Sequence, residues 1–122
     1  MEQKLSFRDY LSILNLARKD FRYWFTIPFH FLFSNIVVKR KEGKIIGFII
    51  YKSRWLHYFI IHKDHRSKGY GRKMLKRIMG SIKNLYVHPN NKRAIRFYEQ
   101  FGFQTRKEQN KIYGKRLHMV LD

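Results

Sequence analysis

The sequence predicts an α/β (α+β) chain, a mixed and mostly antiparallel sheet with helices on its faces. Three observations carry that expectation: two β-rich runs around a glycine turn at residues 35–52, a glycine-marked passage from an apolar run into an amphipathic helix at residues 55–79, and a second amphipathic segment closed by Gly102. A length of 122 residues suits one domain, 1–122, with a single core.

The elements follow in order. Ser6 to Asp9 reads S-x-x-D, a capping box, and Phe7, Tyr10, Leu11, Leu14 and Ala17 recur at helical spacing, so a helix is expected over about residues 7–19. Residues 21–33, FRYWFTIPFHFLF, have neither period and are broken by Pro28. They read as a second, irregular helix and loop, completing a helical N-terminal segment over 1–34. NIVVKRK and KIIGFIIYK flank Glu42-Gly43 and predict an antiparallel hairpin, its second arm apolar on both faces and therefore central. WLHYFIIH is a third strand. Tyr70, Met74, Leu75, Ile78 and Met79 then share one helical face, with Arg72, Lys73, Lys76 and Arg77 turned outward, before Gly80 ends the helix. LYVH is a strand parallel to WLHYFIIH through a right-handed crossover. Pro89-Asn90-Asn91 opens a last helix carrying Ala94, Phe97, Tyr98 and Phe101, and two strands, around FQTRKEQNK and KRLHMVL, complete the sheet.

Lys and Arg number 27 against 8 acids, a formal charge of +19, which predicts attraction to polyanions such as RNA, DNA, lipid headgroups or a phosphorylated cofactor. Cysteine is absent, which removes disulfides and thiolate metal sites. The start MEQKLSFRDY has no apolar h-region and no apolar run is long enough to span a bilayer, so a cytoplasmic chain without integral membrane association is expected. His62 and His65 stand three apart but lack a third ligand, so no metal is expected.

The stretch HRSKGYGRKM, residues 65–74, combines cations with Gly69 and Gly71 at the entry to a helix. A loop there presents unpaired N–H groups at the positive end of the helix dipole, and glycines let backbone approach a phosphate closely. The third glycine of a dinucleotide fingerprint is replaced by Met74, and no G-K-[ST] of a P-loop is present.

Arg66-Ser67-Lys68-Gly69-Tyr70-Gly71 fits R/Q-x-x-G-x-G/A, and Asn91, Ala94, Phe97, Tyr98, Gly102 and Phe103 fit N-x-x-A-x-x-F/L-Y-x-x-x-G-F. In both motifs, in this order, the chain resembles the GNAT N-acetyltransferases over about residues 35–122. The resemblance implies central parallel strands that splay apart to admit the pantetheine arm of acetyl-CoA. It places the CoA pyrophosphate on the amides of Ser67, Lys68, Gly69, Tyr70, Gly71 and Arg72, with Arg66 and Lys68 adding charge-assisted contacts. It assigns the backbone of Phe59 and Ile61 to the pantetheine and acetyl oxygen, with Asn91 on the other wall. Tyr98 occupies the position of a general acid, and residues 1–34 would wall the acceptor site. Where many relatives carry a glutamate base this chain has His57, an imidazole able to take a proton directly or through water. The implied reaction is direct attack of a primary amine on acetyl-CoA in a ternary complex. The charge favours an anionic or RNA-associated acceptor over a small polyamine. The alternative is a basic nucleic-acid-binding protein on the same scaffold without catalysis. The segment from Gly80 to Leu85 is short for the family, implying a clipped crossover.

Overall fold

A computed structural model describes residues 5–20, 33–111 and 114–121. The irregular segment expected at 21–33 lies, apart from Phe33, outside the described residues. Helix α1 spans Phe7–Asp20. Its capping box is closed reciprocally, Ser6 N–H donating to Asp9 Oδ2 at 2.9 Å and Asp9 N–H to Ser6 Oγ at 3.1 Å. Asp9 also accepts both arms of Arg40, at 2.9 and 2.7 Å, which ties the helix start to the first hairpin.

That hairpin is β1 (Asn35–Lys41) and β2 (Lys44–Lys52), joined by Glu42 and Gly43, both at positive φ, in a two-residue turn. A second turn with positive φ at Ser53 and Arg54 leads into β3 (Arg54–Ile61). Helix α2 (Tyr70–Ile78) and a 3₁₀ turn (Met79–Ser81) carry the chain to β4 (Ile82–Val87). Helix α3 (Lys92–Glu99) precedes β5 (Phe103–Lys111) and β6 (Gly114–Leu121). No strand precedes α1 among the described residues, and no helix among them is long and apolar enough to cross a membrane.

The six strands lie in the order β1-β2-β3-β4-β6-β5, with β3 and β4 the parallel pair. The sheet buries both faces, as the double-sided apolar β2 requires. Under α2, Met74, Leu75 and Ile78 pack with Val37, Ile49, Leu56, Leu85 and Met119, flanked by the apolar side of α3. On the opposite face Ile13, Leu16 and Ala17 of α1 pack with Ile36, Val38, Phe48, Ile50 and Ile60.

Two irregularities set up the site. Tyr51 pairs with Leu56 and Ile50 with Tyr58, which leaves His57 as the extra residue of a β-bulge. Beside that bulge, the β3–β4 pairing ends at Leu56 and Leu85, although β3 runs on to Ile61 and β4 to Val87. The strands therefore diverge, as the family resemblance implies.

Candidate active site

The open edge of β3 can be assigned by strand alternation. His62 N–H donates to Ile46 O on β2 at 2.7 Å, so the polar groups of Ile61 and Phe59 face the other way, into the gap. Ile61 O there accepts from Arg66 Nε at 2.7 Å, an anchor for the loop that follows.

The gap opens into a cavity of about 590 Å³, a size suited to a cofactor arm. Phe59 and Ile61 line it from β3, and His65, Arg66, Ser67 and Gly69 from the loop. Tyr70, Gly71 and Arg72 belong to the first turn of α2, while Asn91, Phe97 and Tyr98 come from the start and inner face of α3. The structure thus gathers most of the expected site residues around one space. Lys68 is exposed and does not line it, and His57, exposed at the bulge, does not line it either.

Gly69 caps α2 with φ of +85°, left-handed backbone that glycine adopts without a steric cost, and makes no side-chain cap. The first amides of α2 accordingly have no intrahelical acceptor. Gly71 differs. Its backbone is ordinary, and a Cβ there would meet Phe59 Cζ at 3.4 Å and Ile61 Cγ1 and Phe97 Cζ at 3.8 Å, normal contact distances. Packing of the protein alone therefore leaves room for alanine at this position.

The electrostatics all have one sign. Neither α2 nor α3 has an acid in its first turn, and both helices begin at the cavity. Arg93 of α3 donates to Ser67 Oγ at 3.0 Å, and Arg72 of α2 to Gln100 Oε1 at 2.7 Å, so the two walls are clasped by arginines at the mouth. Arg93 and Gln100 were not foreseen from the sequence. The i,i+2 spacing of Asn91 and Arg93 at a helix start was the available signal for Arg93. Asn91 itself caps α3, its Oδ1 accepting from Ala94 N–H at 3.1 Å. His65 Nδ1 is buried without a partner among the described residues.

Tyr98 lies half-buried between Phe97 and Phe103, with ring centroids 5.5 and 6.0 Å away. Burial pushes its phenol well above the ordinary value, so the hydroxyl keeps its proton at neutral pH and is available as a proton donor rather than a base. Among the described residues no group of three or more His, Cys, Asp and Glu could hold a metal ion.

The family model for the acetyltransferase (GNAT) domain matches residues 33–105. The chain belongs to the GNAT acetyltransferase family. It is 36% identical over 83 residues, covering 52% of this chain and 55% of the relative, to a probable spermine N(1)-acetyltransferase of Bacillus subtilis subsp. natto. This GNAT chain therefore spans about half the length of the curated relatives it matches. Among solved structures it superposes on the ribosomal-protein-S18-alanine N-acetyltransferase of Escherichia coli with a TM-score of 0.76 at 17% identity, covering 98% of this chain and 90% of that one. A GNAT acetyltransferase of Elizabethkingia anophelis with acetyl-CoA bound gives 0.71 at 11% identity, covering 93% and 89%. These two likenesses establish the fold, including the mixed sheet with its splayed parallel pair.

Proposed function

We propose that this GNAT chain binds acetyl-CoA in the cavity between β3 and α3 and transfers the acetyl group to a primary amine by direct attack. One observation carries the reading: the opened edge of β3 and the uncapped start of α2 face the same cavity. A diphosphate fits the amides from Ser67 to Arg72, with Arg66 and Arg72 offsetting its charge. An extended amide arm fits the β3 edge beyond Leu56, which among the described residues has no strand partner on this side and offers the Phe59 N–H and C=O and the Ile61 N–H, with Ile61 O already held by Arg66. Gly71 leaves the space the ligand needs.

The demands of the reaction can then be given to residues. The Phe59 N–H, facing the gap, stabilises the oxyanion that forms as nitrogen adds to the thioester carbonyl. Tyr98 supplies a proton to the departing thiolate. His57, exposed at the bulge, does not line the cavity and is given no role in this reading.

For the acceptor, the relatives' names point to polyamines, whereas the charge of +19 and the lack of any acid between residues 21 and 34 favour an amine joined to an anion. Initial rates with spermidine against an alanyl peptide carrying acidic residues separate these, the acidic peptide being the better substrate on this reading.

Calorimetry with acetyl-CoA tests the site. Wild type is expected to bind at micromolar concentration and Gly71→Trp, which fills the cavity, to show no heat. Equal binding by both would place the cofactor elsewhere.

A further inference from the structure

On the far side of the strand opening from this cavity stands a cluster that no sequence motif marks. Leu56, Leu85 and Met119 belong to the core under α2, so strand alternation turns their neighbours Trp55, Tyr86 and His118 to the opposite face. There the His118 ring stacks on Trp55 at 5.1 Å and 16°, and lies 5.5 Å from Tyr86, itself 4.7 Å from Trp55. All three are half-buried: Trp55 pairs with Asn84 one rung before the last β3–β4 pair, Leu56–Leu85, and Tyr86, paired with His118 across β4 and β6, lies just beyond it. An acetyl group reaching the opening from the α2 side would be presented to an amine arriving on this face.

We infer that His118 is the general base of the acetyl transfer, with Trp55 and Tyr86 forming the aromatic walls that hold the acceptor nitrogen. The inference rests on the acetyl-CoA reading above.

Asn84 Oδ1 lies 2.9 Å from His118 Nε2. A carbonyl oxygen can only accept, so in a neutral imidazole Nε2 carries the proton and Nδ1 keeps its lone pair. Burial, then the nearby Arg106, Lys107 and Lys111 of β5, hold the imidazole below its ordinary value, so it is neutral at physiological pH. The proton balance is simple. As the amine nitrogen bonds to the acetyl carbon it becomes cationic and strongly acidic, and its proton passes to Nδ1. The C–S bond then breaks, and the thiolate takes the Tyr98 proton. His118 and Tyr98 exchange the one proton through solvent, leaving amide and free thiol. The aromatic faces favour the nitrogen while it is positive, in the transition state, more than the neutral amine before it. Tyr86 already attracts one ammonium, Lys111 Nζ standing 4.5 Å from its ring.

The test uses the whole chain with His118→Gln and His57→Gln, spermidine and an alanyl peptide as probe amines, and imidazole NMR. For His118→Gln we expect kcat to fall about 100-fold, unchanged calorimetric affinity for acetyl-CoA, and loss of the acidic limb of the pH–rate profile. In wild type the His118 ring should titrate below 6.5 as the Nε2–H tautomer. A His118→Gln rate within about twofold of wild type, loss of the acidic limb in His57→Gln instead, or titration of His118 above its ordinary value would each overturn the inference. Failure of wild type to bind acetyl-CoA would instead remove the cofactor assignment beneath it.

Discussion

The two faces of this sheet solve different problems. Under α2 and α3 the proposed cofactor site rests mostly on main chain: uncapped amides, an opened strand edge, and glycines in the loop and first helical turn. On the α1 side the proposed acceptor site rests on side chains brought together from β3, β4 and β6, whose placement depends on strand register. A main-chain site demands particular residue types at fixed local offsets. A side-chain site assembled across strands leaves no such trace.

Single substitutions should separate binding, chemistry and stability. Tyr98→Phe keeps the ring packing against Phe97 and Phe103 but removes the proton donor, and should cost kcat about 100-fold with acetyl-CoA affinity unchanged. A full rate in stopped-flow transfer assays would withdraw the general-acid assignment.

Asp9→Asn acts on the α1 face alone. The Arg40 hydrogen bonds, with that from Ser6 N–H, lower the Asp9 carboxyl to about 2 from 3.8. The stabilisation is therefore complete above pH 3.8 and lost as pH falls through 2. At neutral pH the variant should lose about 1–2 kcal/mol in urea denaturation, discounted for the half-exposed Arg40, and still bind acetyl-CoA. A stability gap between wild type and variant that stayed constant down to pH 2 would contradict the ion-pair account.

The smallest effect is the sharpest test of the comparison. Because the fold has room for a Cβ at residue 71, Gly71→Ala should raise stability by about 0.5–1 kcal/mol through helix propensity. The same change should weaken acetyl-CoA binding. Loss of both stability and binding would mean the glycine serves packing instead.

The legible parts of the sequence follow the same division. The hairpin at Glu42-Gly43, the amphipathic α2 and α3, and the capping box at Ser6 were readable because each is local. Arg66 through Gly71 and Asn91 through Phe103 could be read for the same reason, and the comparisons bear out the family those motifs suggested. The family resemblance suggests His57 as a base because relatives carry a glutamate there, and the residue's position in the bulge, exposed and away from the cavity, is not legible from that correspondence. Neither the Arg40 partner of Asp9 nor the Trp55–Tyr86–His118 cluster could be read, since each depends on contacts between distant segments.

The central claim, that main-chain amides at the start of α2 hold the diphosphate of acetyl-CoA, is tested most directly by amide NMR during titration with the cofactor. The account predicts the largest shifts at Gly69, Tyr70, Gly71 and Arg72, saturating together. Saturable binding that leaves those four resonances in place would contradict it.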